Sequence, residues 1–361
     1  MDDATLLLSK DFFTEKKKRI FESGAFYADA FVYPSGIQAL TLGNSRGYIV
    51  VLPYMGQMIW DAVFDGVDLT MKNMFSHPRP SREIVETYGC YMYHSGMLRS
   101  GCPGPGDDHP LHGEMPCAPM DTAALVFGRD DQGPFMGISG TYEYVMGFGD
   151  HYQARPRVVL RQDTALMDIA MAVENLAGQD MELMYMCHMN PAFAVDSHII
   201  QPAPHTPDHV VTRTSIPGHV TPTPEWEAFL NQVAADPGLM AVLDQPHNYD
   251  PEFVFFLKGL AADDKGFIPV LMKQPDQNAF YVSYDSNAFS HLVRWILCSP
   301  DQQVAAFALP ATCEPEGYTR EKEKGNIRTL APGETQTFRV RAGLLSPEET
   351  GPVETMIRSL I

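Results

Sequence analysis

Short apolar or alternating runs recur at roughly ten- to twenty-residue intervals along most of this chain. Pro, Gly, Asp and Asn separate the runs, which is typical of antiparallel strands rather than of alternating strand–helix units. The predicted strands cover residues 24–33, 37–42, 47–52, 58–64, 123–127, 135–146, 158–161, 166–174, 181–188, 253–258, 267–272, 280–284, 292–298, 304–309 and 337–344. The pattern therefore predicts a mainly β protein built as an antiparallel sandwich or barrel.

Helical signals are few. Thr223-Pro224-Glu225 offers an N-cap, a proline at the first helical position and an acidic first turn before residues 226–233. Ser346-Pro347-Glu348-Glu349 predicts a short C-terminal helix, and residues 10–22 are a third candidate. The Pro-, Thr- and His-rich residues 201–224 predict a long surface excursion between strands.

The length of 361 residues is compatible with one large β domain. We expect a single domain over residues 1–361. In it, residues 1–45 form an N-terminal extension and the first strands, residues 45–345 the core, and residues 346–361 the C-terminal helix.

Charge limits the class of partner. The chain has 26 basic and 45 acidic residues and a formal net charge of −19, which repels nucleic acid and anionic membrane surfaces. A small anionic substrate is still compatible with this field, because local arginines such as Arg99, Arg294 and Arg320 can override it at short range.

Targeting and redox signals favour the cytoplasm. The apolar run Leu6-Leu7-Leu8 is too short for a signal peptide, and no segment approaches the roughly 18 apolar residues of a membrane span. The 6 cysteines lack CxxC spacing, so neither a structural zinc site nor a disulfide framework is expected. The sequence leaves the oligomeric state open, and a homo-oligomer is compatible with it.

One candidate site is the loop that ends His109-Pro110-Leu111-His112-Gly113-Glu114. It follows a glycine- and proline-rich stretch, a position from which side chains often project into a cleft, although they can equally face solvent. His109, His112 and Glu114 together offer nitrogen and oxygen ligands for a metal. Neither a helical His-Glu-x-x-His nor a Cys/His array accompanies them, so we predict no metal site.

The second candidate is His188, at the end of an apolar run and just before Asn190-Pro191. A histidine in such a place is often a hydrogen-bonded core residue. Residues 167–175 read as a strand, 176–179 as a turn and 181–188 as the returning strand. We therefore predict a hairpin that delivers His188 to one end of a sheet.

Three motifs in this order resemble a known family. They are Leu111-His112-Gly113, the pair Val173-Glu174-Asn175 and His188-Met189-Asn190-Pro191, and the closing Leu330-Ala331-Pro332-Gly333-Glu334. Over roughly residues 45–345 the chain resembles the aldose 1-epimerase (galactose mutarotase-like) superfamily. Within that superfamily it is most similar to the divergent DUF4432 branch.

The resemblance implies a β-supersandwich with an open cleft and an enzyme that interconverts the anomers of a free sugar without metal or organic cofactor. It implies that His112 contacts the sugar, that His188 is the general acid on the ring oxygen, and that a late glutamate is the general base. Leu309 stands where relatives often carry that carboxylate. Glu316 and Glu314 are the nearest replacements, and an acid and a base with pKa values near neutrality would suffice for the reaction.

Further substrate-binding candidates are side chains near these motifs or with a cationic or aromatic group, namely His94, Arg99, His109, Glu114, Arg294 and Trp295. Two other functions stay open. Leu309 favours a non-catalytic sugar-binding protein on the same fold, whereas His109, His112 and Glu114 would suit a metal-dependent sugar isomerase or lyase. The charged run 320–324 predicts a solvated loop.

Overall fold

The alternating runs form 22 strands in the computed structural model, which describes residues 4–216, 218 and 220–361. The first eleven are β1 (Ala4–Leu7), β2 (Lys18–Ser23), β3 (Phe26–Val32), β4 (Gln38–Gly43), β5 (Gly47–Leu52), β6 (Met58–Phe64), β7 (Val67–Asp68), β8 (Met92–Met97), β9 (Thr122–Asp130), β10 (Gly133–Val145) and β11 (His151–Arg161). The others are β12 (Leu166–Asn175), β13 (Met181–Met189), β14 (His198–Ile200), β15 (Val210–Thr212), β16 (Phe253–Leu257), β17 (Phe267–Lys273), β18 (Ala279–Asp285), β19 (His291–Cys298), β20 (Gln303–Ala311), β21 (Arg328–Leu330) and β22 (Thr335–Leu345). Every run predicted from the sequence overlaps one of these strands, and the mainly β class is confirmed.

The strands form two antiparallel sheets. The small sheet has nine strands in the order β1-β9-β10-β11-β12-β22-β18-β17-β14. The large sheet has thirteen, in the order β15-β16-β19-β20-β13-β8-β6-β5-β4-β3-β2, with β21 on β13 and β7 on β6. Side chains from both sheets share one apolar core, so the sheets pack face to face as a sandwich.

Strand β13 shows how this packing positions side chains. The ring of Tyr185 lies 4.5 Å from that of Phe338 on β22 of the small sheet. Because successive strand residues point to opposite faces, Met186 and His188 must point away from the small sheet. The outer face of the large sheet is therefore where His188 is found.

The predicted hairpin of residues 167–188 is wrong. Both edges of β12 are paired within the small sheet, with β11 and β22. Strand β13 instead crosses to the large sheet, where His188 pairs with Tyr93 of β8. A short turn can join strands that stack across a sandwich as readily as strands that pair, and the alternation of each strand is the same in both cases.

Three α-helices occur in the described residues: α1 (Pro224–Ala235), α2 (Tyr318–Lys324) and α3 (Pro347–Ser359). Thr223 caps α1 and Ser346 caps α3, as their sequences predict. None of the helices is long and apolar enough to cross a membrane.

Two local predictions are wrong. Residues 10–22 form a single 3-10 turn, Lys10–Phe12, followed by strand β2, because pairing with β3 outweighs local helix propensity. Residues 320–324 belong to α2 rather than to a solvated loop, and Glu321 in that helix is completely buried. Of the predicted excursion 201–224, Pro217 and His219 lie outside the described residues, and part of the rest pairs as β15.

Buried Asn44 joins the two sheets. Its side-chain amide nitrogen donates to the carbonyl oxygens of Arg161 (2.6 Å) and Thr164 (2.7 Å) in the small sheet's β11–β12 turn. Its side-chain oxygen accepts from the backbone nitrogens of Arg46 (2.9 Å) and Gly47 (3.0 Å) in its own turn. One side chain thus ties β4–β5 of the large sheet to β11–β12 of the small sheet.

We expect Asn44→Ala to lower the free energy of unfolding by about 2–4 kcal/mol, because it leaves four partly buried backbone groups without their Asn44 partner. Urea denaturation measures the change. Asn287→Ala, at an exposed side chain, is the control and should stay within about 0.5 kcal/mol of the unmodified protein. Equal effects of the two substitutions would contradict the structural role of Asn44.

Candidate active site

A cleft of about 670 Å³ lies on the outer face of the large sheet, where His188 points. Strands β13, β16, β19 and β20 supply part of its lining, and segments around residues 74, 85, 102, 111, 213, 221, 250, 300 and 315 supply the rest. His112, His188 and Trp295 all line it. The fold therefore brings together three of the side chains singled out in the sequence, two from the large sheet and His112 from a turn.

His188 is buried at the floor of the cleft among aromatic rings. The ring of Tyr93 stacks on it with centroids 4.5 Å apart, and the His112 ring meets it edge-on at 4.8 Å. The Trp295 ring lies 5.9 Å away. The orientation of His188 is thus set by packing on several sides.

Tyr93 and Tyr88 connect to His188 by hydrogen bonds. The Tyr93 hydroxyl donates to the Tyr88 oxygen (3.1 Å), and the Tyr88 hydroxyl lies 3.3 Å from His188 Nε2. Burial raises the pKa of both tyrosines well above the ordinary value, so both phenols keep their protons at neutral pH. The two hydroxyls therefore form a chain that ends at Nε2 of His188.

His112 reaches the cleft from a turn with an uncommon backbone. Its φ is 61° and that of Gly113 is 79°, both in the left-handed region. A Cβ on Gly113 would overlap the carbonyl oxygen of Arg99, so only glycine fits there. The oxygen of Ser95 lies 3.2 Å from His112 Nδ1 and donates to the His112 carbonyl at 3.1 Å, which holds the residue in place.

Burial changes the protonation expected of both histidines. It lowers the pKa of His112 to about 3, although the charge of Glu252 opposes the shift. Burial, and next the charge of His112, lower the pKa of His188 well below its ordinary value. Both imidazoles are therefore neutral at pH 7, whereas a histidine of ordinary pKa is about one-quarter protonated there.

Glu252 is a cleft carboxylate that the sequence reasoning missed. Its side chain accepts from the indole nitrogen of Trp295 (2.6 Å) and from Arg213 (3.0 Å). It precedes β16 by one residue and shares a strand face with Val254, which pairs with Trp295. Only the pairing of β16 with β19 brings Glu252 next to Trp295. No local signal in the sequence could therefore identify Glu252 as a cleft residue.

The two predicted bases lie elsewhere. The ammonium of Lys324 lies 2.6 Å from Glu314, 2.6 Å from Glu316 and 2.9 Å from Glu321. Burial alone would raise the pKa of Glu316, but hydrogen bonding to Lys324 outweighs it and lowers that pKa below its ordinary value. Neither Glu314 nor Glu316 lines the cleft, whereas Leu309 does.

His94 and Arg294 are on the wrong face of the sheet to contact a ligand in the cleft. His94 is buried and bonds the Tyr185 hydroxyl (2.8 Å) between the sheets, since Tyr93 beside it takes the outer face. Arg294 is completely buried, and donates to the Phe307 carbonyl (2.9 Å) and to Gln201 (2.7 Å). Burial lowers the pKa of Arg294 to about 9, so it stays charged at neutral pH.

The remaining loop candidates have structural partners outside the cleft lining. Arg99 stacks on the Tyr318 ring, 3.7 Å from its centroid. His109 bonds the carbonyl oxygen of Pro110 (2.9 Å). Glu114 accepts from the backbone nitrogens of residues 97 and 98 and from the Tyr152 hydroxyl, each at 2.8 Å. These bonds brace the loop that carries His112.

The contacts of His109, His112 and Glu114 diverge, so they do not form the metal site considered from the sequence. Within the part of the chain that the structure describes, one group of possible metal ligands comes close together: Glu314, Glu316 and Glu321. The Lys324 ammonium sits among these carboxylates and supplies the positive charge that they require.

Solved structures share this architecture. A protein of Klebsiella pneumoniae subsp. pneumoniae described as a "putative aldose 1-epimerase" is 14% identical, with a TM-score of 0.81 over 99% of this chain and 96% of its own. A galactose mutarotase-like protein of Clostridium acetobutylicum is 11% identical, with a TM-score of 0.57 over 89% of this chain and 99% of its own. The chain has the galactose mutarotase-like fold. The supersandwich predicted from the sequence is thereby confirmed.

A galactose 1-epimerase from Lactobacillus acidophilus NCFM has the same fold, with a TM-score of 0.50 and 13% identity over 91% of this chain and 98% of its own. Residues 218–344 match the model of DUF4432, a domain of unknown function, which confirms that resemblance over these residues. No curated protein matches the sequence. At these identities the similarities establish the fold, and the activity has to be argued from the cleft.

The buried histidines predict a loss of stability in acid. The pKa of His94 is lowered by burial to about 3, from about 6.5 when unfolded. Below pH 6.5 the unfolded chain binds this proton and the folded chain does not, so stability falls with pH toward about 3. In His94→Gln we expect the slope of unfolding free energy against pH to be smaller by up to about 1.4 kcal/mol per pH unit.

Urea unfolding between pH 6.5 and about 4 measures that slope. The control is Asn287→Ala, at an exposed side chain that carries no ionisable group. It should leave the slope unchanged. An unaltered slope in His94→Gln would show that His94 is already protonated in the folded protein.

Proposed function

We propose that the protein is a sugar mutarotase, which interconverts the anomers of a free aldose by acid–base catalysis. The observation that carries the proposal is the convergence of His188, His112 and Glu252 in one cleft beside Trp295. A carboxylate and an imidazole are the two proton-transfer groups that the reaction requires. The fold shared with the galactose 1-epimerase supports the proposal without carrying it.

In the proposed reaction Glu252 accepts the proton of the anomeric hydroxyl. Protonated His188 gives a proton to the ring oxygen as the bond between this oxygen and the anomeric carbon breaks and the carbonyl forms. Rotation of the carbonyl and the reverse proton transfers close the ring as the other anomer. Glu252 thus takes the role for which Glu316 and Glu314 were considered.

Neighbouring side chains contact both proposed catalytic groups, Glu252 and His188. Arg213 and Trp295 hold the Glu252 carboxylate by hydrogen bonds, which fixes its oxygens in the cleft. Tyr88 lies within reach of His188 Nε2. His112, held at Ser95, offers a neutral imidazole for hydrogen bonding to a sugar hydroxyl.

Two matched substitutions separate the candidate bases. We expect Glu252→Gln to lower kcat/KM for anomer exchange by about 10²- to 10⁴-fold, because an amide accepts no proton. Glu316→Gln should keep activity within about threefold, since its carboxylate is paired with Lys324 outside the cleft. Polarimetry or exchange NMR on freshly dissolved aldoses measures both, and the reverse ranking would return the role of base to Glu316.

The pH profile tests the state of His188. Because burial keeps its pKa well below the ordinary value, the protonated fraction is small at neutral pH and grows as the pH falls. We expect kcat/KM, after subtraction of the buffer rate, to rise as the pH is lowered from about 8 to about 6. A flat profile would assign proton donation to a group that stays protonated throughout, such as Tyr88.

A second function is favoured by one observation. Leu309 lines the cleft at the position where relatives often carry the base, which suits a protein that binds sugar without catalysis. Calorimetry then detects sugar binding while the rate of anomer exchange equals that of buffer. Loss of that binding in Glu252→Gln would show that the same cleft is used.

A further inference from the structure

The cleft lining includes four apolar side chains that are at least partly exposed, Met74, Phe75, Val85 and Leu297, which we call the rim. Met74 is 66% exposed and Val85 is 49% exposed, while Phe75 and Leu297 are partly exposed. Large apolar side chains left this open beside a cleft are typical of surfaces that a ligand covers. The hydroxyl groups of a simple hexose give it little apolar surface with which to do so.

The rim is continuous with the candidate catalytic groups. Lys72 pairs with Gln303, which places the segment of Met74 and Phe75 beside the β19–β20 turn, close to Leu297. Val85 lies in a 3-10 turn that ends one residue before Tyr88, and the Tyr88 hydroxyl reaches His188. A ligand with its sugar ring at His188 can therefore extend over the rim.

The charges in the cleft select against an anion. Among the described residues, its lining contains two carboxylates, Asp250 and Glu252, and one cation, Arg213, which Glu252 binds at 3.0 Å. His112 and His188 are kept neutral by burial. A phosphate or carboxylate on the sugar would meet no unpaired cation among these groups and would be repelled by Asp250.

The volume of the cleft indicates a substrate larger than one sugar ring. Its volume of about 670 Å³ is in the range that accommodates ligands larger than one sugar ring. The polar groups named above surround only part of this volume. Ser299 and Gln302 of the β19–β20 turn accompany the rim in the lining, and the four rim side chains offer an apolar surface to a substituent.

We propose that the substrate is an uncharged sugar with a free anomeric hydroxyl that carries an apolar group away from the anomeric carbon. The sugar ring lies at His188, His112 and Glu252, and the apolar group covers Met74, Phe75, Val85 and Leu297. This inference rests on the proposed function for the reaction and goes beyond it in naming the substrate class.

The first test compares kcat/KM for four sugars: glucose, its 4-O-butyl and 6-O-butyl ethers, and its 6-phosphate. We expect at least one ether to exceed glucose by tenfold or more, because its alkyl chain removes exposed apolar surface on the rim. The 6-phosphate should fall below glucose. Glucose equal to or better than both ethers, or a 6-phosphate better than every neutral sugar, overturns the inference.

The second test uses matched surface variants. Met74→Ser combined with Val85→Ser should abolish the preference for the ether. The control is Met146→Ser combined with Val145→Ser, at positions 57% and 61% exposed in and beside the β10–β11 turn and outside the cleft lining. The control should keep the preference in full, and a preference that survives in the Met74/Val85 variant overturns the inference.

Calorimetry separates this inference from the proposed function. If no sugar is converted, tighter binding of an ether than of glucose, lost in the Met74/Val85 variant, supports the rim as a binding surface while catalysis is rejected. If neither ether binds more tightly than glucose, the inference is overturned. Conversion of glucose with no gain for either ether rejects the inference and keeps the proposed function.

Discussion

The alternation of side chains along β13 is the constraint on which the site depends. Tyr185 packs on Phe338 of the opposite sheet, and this contact commits the other face of the strand to the cleft. His188 is consequently fixed on the outer face, paired with Tyr93 of β8. A shift of one residue in this register would bury His188 between the sheets and turn Cys187 to the cleft.

Burial then decides the chemistry available to the histidines. An imidazole enclosed by aromatic rings loses its hydration, and its charged form becomes unfavourable. His112 and His188 are therefore neutral hydrogen-bonding groups at pH 7. The proposed acid–base reaction also needs a carboxylate, and Glu252 is a cleft carboxylate held in place by Trp295 and Arg213.

The sequence predictions succeeded where the signal is local. The strands follow from period-two alternation, and the caps at Thr223 and Ser346 follow from hydrogen bonding within one turn. They failed where a partner distant in sequence decides the outcome. Residues 10–22 resemble a helix until β3 pairs with part of them, and Glu316 resembles a free carboxylate until Lys324 of α2 is placed beside it.

The sequence by itself determined the β class and, through ordered motifs, the family resemblance and the two histidines of the cleft. Only the tertiary structure decided which carboxylate joins them, because Glu252 reaches the cleft through the pairing of β16 with β19. The structure likewise decided that His94 and Arg294 belong to the interior. Alternation along a strand implies that neighbouring residues point to opposite faces of the sheet. The packing of the two sheets determines which of these faces lies between them.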